Sequence, residues 1–346
     1  MRPEVGFLII GAPKAGTTSL FEYMRLHPQL HMPPEKEIYF FNMDRNYRRG
    51  LEWYLNTVTR DAPEDALCGE ATTEYLSGVT YADAPDGPPD PKAADVQALE
   101  EAIPRRIAQA LPDVRLICLL RDPVERACSH HRMMALGGDE PRSFEAAVDE
   151  LLDPAALERA RRTRTRLNGY IVNGEYARLL AGFLRVFPRS QIKALFTEEL
   201  QRRPAETLTD LFDFLGVSTE FVPGNVGTRY REAAVKQRVP GFNLVAFQGN
   251  LARLDVARKM WHALPSRSRD AIDRAYNVVN YRVEMWNALR GEVRDEMPVG
   301  VRDRLIAHFR PDSEELEEVL GREAPWLGQW SRQALPLTSQ GSPRAG

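Results

Sequence analysis

Val5-Gly6-Phe7-Leu8-Ile9-Ile10-Gly11-Ala12-Pro13-Lys14-Ala15-Gly16-Thr17-Thr18-Ser19 is the stretch on which the fold turns. Val5 to Ile10 is an unbroken apolar run and reads as a buried strand. The glycine-punctuated turn behind it opens a helical pattern marked by Leu20, Met24 and Leu26. Strand, loop and helix in that order bring backbone N–H groups and the positive end of a helix dipole to one place, where a phosphate can be held. A nucleotide triphosphatase loop reads G-x-x-x-x-G-K-[ST]. Gly11, Gly16 and Thr18 fit that frame, but Thr17 stands where the lysine belongs and the lysine has moved inside the loop to Lys14.

Outward from this stretch, Val114 to Leu120 is a second apolar run that reads as an interior strand, and Arg121-Asp122-Pro123 ends it with a proline suited to a first helical turn. A third run, Gln191 to Phe196, follows the amphipathic stretch Tyr176 to Phe187. Apolar strands alternating with helices predict an α/β fold with a P-loop-like central parallel sheet flanked by helices. Tyr81 to Lys92 is rich in Pro, Asp and Gly and reads as a surface loop. From Lys236 to about Met297 the pattern is helical, with Trp261, Tyr276, Tyr281 and Trp286 as packing residues. The expected organisation is one domain over 1–346, with an α/β nucleotide-binding core at 5–235, a helical insertion at 236–298 and C-terminal helices at 299–332. The tail from Leu335 to Gly346 has the composition of a frayed end.

The whole chain adds little chemistry of its own. Its 346 residues are 43% hydrophobic and 27% charged, enough for a sizeable core, and the net charge of -3 supplies no global pull toward nucleic acid or an anionic membrane. Any anion site must therefore be built locally. Cys68, Cys118 and Cys128 are odd in number and lack metal-ligand spacing, which argues against a disulfide framework or a zinc site. No membrane span or signal-peptide pattern precedes the first strand, so a cytoplasmic location is expected.

A lysine inside the loop, with none after the last glycine, suits a bridging oxygen or a 5′-phosphosulfate better than a metal-bound phosphate pair. Arg121 stands at a strand end and Ser129 lies eight positions on, two helical turns away, so a guanidinium and a hydroxyl can converge on one anion. Pro13-Lys14-Ala15-Gly16-Thr17-Thr18-Ser19-Leu20 resembles the 5′-phosphosulfate loop of the PAPS-dependent sulfotransferase family, and Arg121 to Ser129 resembles its 3′-phosphate motif. PAPS is 3′-phosphoadenosine 5′-phosphosulfate. The resemblance implies donor contacts from Lys14, Ala15, Gly16, Thr17, Thr18, Ser19, Arg121 and Ser129, with Lys14 on the bridging oxygen. Arg229, in Gly227-Thr228-Arg229-Tyr230-Arg231, is the nearest match to the family's late basic loop. Asp122 and Arg126 are expected to form a helix-start ion pair, and His130 and His131 to pack.

Pro33-Pro34-Glu35-Lys36-Glu37-Ile38-Tyr39-Phe40-Phe41 sets a charged pair before an aromatic run, where pKa values shift readily. The stretch resembles a segment of the heparan sulfate sulfotransferases and their bacterial relatives in which the residue at Glu37 is the base; Asn46-Tyr47, Gly50 and Trp53-Tyr54 extend the similarity. A strand-end ion pair of Lys36 with Glu37 is the plainer alternative. Glu70 is a second candidate for the base, and Glu70, Thr72 and Tyr75 are candidates for the acceptor pocket. Ala71 stands where the resembled segment often carries a lysine, which puts a two-lysine, heparan-type site in doubt. Arg159, Arg161, Arg162, Arg164 and Arg166 read as a solvated helix face, with attraction of an acidic acceptor or a carrier protein as the alternative.

The expected activity is transfer of a sulfuryl group from PAPS, without metal, to a hydroxyl, and less readily an amine, of a small-molecule or carbohydrate acceptor. A P-loop-type nucleotide kinase or NTPase, and a nucleotide-binding module without turnover, are the alternatives. No nucleic-acid partner is expected, and homo-oligomers are left open.

Overall fold

The computed structural model describes residues 3–77, 96–163, 167–228 and 297–333. The expected loop at Tyr81–Lys92, Arg229, nearly all of the 236–298 region and the tail from Leu335 lie outside the described residues. Five parallel strands form one sheet in the order β2-β3-β1-β4-β5, with β1 Val5–Gly11, β2 Leu30–His31, β3 Leu67–Ala71, β4 Arg115–Leu120 and β5 Ile192–Phe196. All seven residues of β1 are buried, as an apolar run demands when helices cover both faces of a parallel sheet.

Around the sheet run α1 Thr17–Met24, α2 Asp44–Tyr47, α3 Leu51–Val58, α4 Val96–Ala110, α5 Pro123–Gly137, α6 Phe144–Leu151, α7 Pro154–Thr163, α8 Gly169–Val172 and α9 Tyr176–Leu184. After β5 come α10 Thr197–Arg202 and α11 Pro204–Leu215, then α12 Val299–Leu320 and α13 Pro325–Gln333. The chain passes from β1 to β2 and β3 on one side, then crosses to β4 and β5 on the other. The order therefore reverses between β1 and β4, whose carboxyl ends open the crevice where such sheets bind ligands.

The three expected strands form, but β2 and β3 carried no signal of their own. β2 has two residues, and β3 is Leu-Cys-Gly-Glu-Ala, in which a glycine and a carboxylate interrupt any apolar run. Leu26 does not belong to the first helix, which ends at Met24 and leaves Leu26 44% exposed.

The expected ion pair of Asp122 with Arg126 does not form. The Asp122 carboxylate caps α5 by accepting from the Val124 N–H at 2.9 Å and also accepts from Trp330 Nε1 at 3.2 Å, so α13 braces the end of β4. Arg126 turns inward, wholly buried, and donates to the carbonyls of Gly169 and Tyr170. His131 and His130 pack against Tyr170, as expected.

Of the arginines expected to form a solvated face, Arg159 is exposed, Arg164 and Arg166 lie outside the described residues, and Arg161 departs from the expectation. Arg161 pairs with the buried Glu175 at 2.9 Å and Arg162 with Glu158 at 2.8 Å. Burial opposes the charge on Glu175, but His308, Arg161 and Arg178 outweigh it and hold its carboxyl well below the usual range. This network sits at the start of α9, where Tyr176 donates its hydroxyl to the carbonyl of Arg121 at 2.9 Å.

Candidate active site

The loop between β1 and α1 is drawn against the ends of β4 and β5. Ala12 donates its N–H to the Leu119 carbonyl at 2.8 Å, and the Thr197 hydroxyl reaches the carbonyls of Ala15 (2.5 Å) and Leu120 (2.9 Å). Gly16 adopts φ 89°, a left-handed conformation that a side chain would strain, and no side chain caps the first turn of α1. Lys14 is also left-handed, with φ 71°. Its ammonium reaches over the crevice to the Met133 thioether on α5, 3.4 Å away. Thr17 and Thr18 are buried at the head of α1, and Ala15 is buried beneath them, while Ser19 is partly exposed.

Arg121 closes the other side. Its Nη1 donates to the Lys14 carbonyl at 3.3 Å, and its Nη2 lies 3.7 Å from Glu125. Arg302 holds the same Glu125 at 2.7 Å, so α12 shares in setting the guanidinium. The two basic elements read from separate parts of the sequence thus meet at the mouth of the β1/β4 crevice. Ser129 lies further along α5, half-buried. Among the described residues, no group of three or more His, Cys, Asp or Glu is placed to hold a metal ion, and no helix is long and apolar enough to cross a membrane.

Residues 32–40 form no strand, so Lys36 and Glu37 are not at a strand end; they pair at 3.7 Å from an irregular segment pinned by its neighbours. Phe40 stacks on Tyr54 at 4.5 Å and its N–H donates to the Tyr75 hydroxyl at 3.0 Å, while Asn46 Nδ2 donates to the Ile38 carbonyl at 2.9 Å. Glu37 and Tyr39 both have positive φ, 63° and 55°. Left-handed non-glycine residues cost of order 1 kcal/mol each and gather at functional sites. Among the four such residues described are both the candidate lysine and the candidate base. The Glu37 N–H donates to the Ala71 carbonyl at 2.9 Å, and its carboxylate accepts from the Thr73 N–H and hydroxyl, each at 3.0 Å.

Glu70, Thr72 and Tyr75, expected in the acceptor pocket, have no exposure at all. They form a buried layer beneath Glu37, with the Thr72 hydroxyl donating to Glu70 Oε2 at 2.8 Å. Burial drives the Glu70 carboxyl up from 4.5 to about 8, against the pull of Thr72, Tyr75 and Tyr54, and the Glu37 charge adds to the rise. The native chain accordingly keeps a proton that the unfolded chain releases between those two values. Stability present in full below pH 4.5 is lost as pH rises through about 8, at up to about 1.4 kcal/mol per pH unit. Glu70→Gln is expected to flatten this slope, so its stability gain over the wild type in urea unfolding grows from pH 5 to pH 8. An equal gain at both pH values would refute the assignment.

Two further carboxylates, Asp122 and Glu198, stand just beyond the ends of β4 and β5. Glu198 follows β5 and accepts from the Asp122 N–H at 3.1 Å, and burial raises both carboxyls. Lys36 is the other residue the sequence left out of the site. Its side chain is 4% exposed, and its ammonium donates to the Thr17 hydroxyl at 3.1 Å and the Thr18 hydroxyl at 3.2 Å. A lysine flanked by prolines and an aromatic run was the available signal, but no periodicity said which way it faces.

The family model described as "Sulfotransferase domain" matches residues 5–238. The human bifunctional heparan sulfate N-deacetylase/N-sulfotransferase 2 is 28% identical over 219 residues, covering 61% of this chain and 22% of that protein. The mouse bifunctional heparan sulfate N-deacetylase/N-sulfotransferase 4 is 27% identical over 339 residues, 95% of this chain and 31% of that protein. The chain thus spans between a fifth and a third of the length of these curated relatives. The crystal structure of a sulfotransferase from Alicyclobacillus acidocaldarius aligns with a TM-score of 0.59 at 24% identity, covering 96% of this chain and 100% of that one, a likeness of fold.

Proposed function

Because this chain belongs to the sulfotransferase domain family, we propose that it transfers the sulfuryl group of PAPS to a hydroxyl of a small-molecule or carbohydrate acceptor by in-line displacement without a metal. The observation that supports this reading is the 3.3 Å contact between Arg121 and the Lys14 carbonyl, which sets the loop and the second strand end side by side. A nucleotide bearing phosphate at both ends fits two adjoining basic cradles.

The donor supplies a sulfuryl group bonded through oxygen to a phosphate, and the chain's residues do the rest. Glu37 takes the proton of the acceptor hydroxyl as its oxygen bonds to sulfur. The sulfur–oxygen bond to the phosphate breaks, and its electron pair stays on the phosphate oxygen. Lys14 and the N–H groups at the head of α1 stabilise that charge. Arg121 and Ser129 hold the 3′-phosphate, so the donor stays aligned for attack. The relatives' names, which specify N-sulfotransferase, support an amine of a carbohydrate as the second reading of the acceptor.

Calorimetric titration tests the donor side. The wild type is expected to bind adenosine 3′,5′-bisphosphate more tightly than ATP with Mg²⁺, and Arg121→Ala to weaken that binding about 10–100-fold, the worth of charge-assisted hydrogen bonds. Tighter binding of ATP with Mg²⁺ would point to a kinase instead. Assays with paired hydroxyl and amine acceptors separate the two acceptor readings.

A further inference from the structure

Lys36 gives the site a second ammonium that neither the loop motif nor the strand-end motif names. Its side chain is 4% exposed, so it contacts the protein rather than open solvent. The nitrogen donates to Thr17 Oγ1 at 3.1 Å and Thr18 Oγ1 at 3.2 Å, and lies 3.7 Å from Glu37 Oε1. An ammonium only donates, whereas a threonine hydroxyl has one proton to donate and lone pairs that accept. Once each hydroxyl oxygen accepts from Lys36, its own proton must turn to some other acceptor.

Position limits what that acceptor can be. A threonine inside a helix often returns its proton to a carbonyl three or four residues back. Thr17 and Thr18 are the first two residues of α1, and the chain behind them is the loop, so no helical carbonyl stands there. Their protons are instead available at the positive end of the helix, beside the turn that is capped by Gly16 alone. The Glu37 end of the ion pair ties the same ammonium to the candidate base, whose N–H is bonded to the Ala71 carbonyl. Ala71 carries no charge, and the second ammonium arrives from position 36.

We propose that Lys36 is a positioning residue: it holds the Thr17 and Thr18 hydroxyls as hydrogen-bond donors toward the phosphosulfate oxygens of the donor, and sets Glu37 in register with them. This rests on the PAPS reading of the site. It makes the threonine pair a preorganised cradle, with no reorientation of hydroxyls needed as charge develops. A neutral side chain at 36 would leave those hydroxyls free to turn elsewhere.

A double-mutant cycle tests it, with Lys36→Met on one edge and Thr17→Val with Thr18→Val on the other. Binding of adenosine 3′,5′-bisphosphate and kcat are measured for all four proteins, with thermal melts to confirm folding. Lys36→Met alone is expected to weaken binding about tenfold or more and to lower kcat further. In the valine background the same change is expected to cost less than about twofold, because the hydroxyls it orients are gone. Should Lys36→Met not fold, Lys36→Gln enters the cycle in its place. Losses that add in full across the cycle would show that Lys36 does not act through the threonines and overturn the proposal. A wild type that binds no adenosine 3′,5′-bisphosphate would overturn the reading of the site, and this proposal with it.

Discussion

Glu37→Gln is expected to lower kcat by about 10²–10⁴-fold, the range that general-base catalysis contributes, while binding of adenosine 3′,5′-bisphosphate changes less than about twofold. Glutamine keeps the size of the side chain and an oxygen that can still accept from Thr73, whose N–H and hydroxyl each lie 3.0 Å from the carboxylate. What it loses is the ability to accept a proton. The carboxylate is held from two directions, by Thr73 and by Lys36 at 3.7 Å, and its own backbone is fixed through Ala71. In the proposed mechanism a carboxylate set this firmly contributes to the reaction step rather than to docking of the donor. Single-turnover rates with saturating PAPS would settle the matter: a Glu37→Gln protein that transfers sulfuryl groups at the wild-type rate would remove the base from this residue.

Lys14→Ala carries the second large effect. Loss of one preorganised group facing a developing negative charge costs about 10²–10³-fold in kcat. Lys14 stands in a left-handed conformation in the loop, its carbonyl held by Arg121 at 3.3 Å and its ammonium brought over the crevice toward α5. In the proposed reaction its charge faces the leaving phosphate oxygen as that oxygen gains electrons, so the transition state needs it more than the bound donor does. Affinity for adenosine 3′,5′-bisphosphate is expected to fall by only a few-fold, against the 10–100-fold expected of Arg121→Ala. Equal losses in kcat and in affinity would mean that Lys14 binds ground and transition states alike, and the division of labour between the two cradles would fail.

Much of this site is continuous in sequence, which is why it was legible. A loop residue's neighbours in the chain are also its neighbours in space, so Lys14 to Ser19 could be read as one phosphate cradle from the order of strand, glycines and helix. The same holds for Arg121 at the end of β4. Glu37 was proposed through resemblance, since nothing in an irregular segment reveals how two adjacent charged residues are turned. The packing of Glu70, Thr72 and Tyr75 was not legible: polar residues named as acceptor-pocket candidates are fully buried, and Glu70 lies in β3 beside the central β1, in the layer beneath Glu37.

By itself the sequence determined the strand–loop–helix unit, the parallel sheet and the two basic elements at strand ends, because apolar runs and glycine turns act over a few residues and leave a local pattern. Only the tertiary structure decided that β1 and β4 are neighbours, that Arg121 therefore touches the Lys14 backbone, and that Lys36 lies against Thr17 and Thr18. Those contacts join residues 107, 19 and 18 positions apart. Strand order and side-chain direction come from how whole elements pack, and no short-range pattern of residue types encodes them.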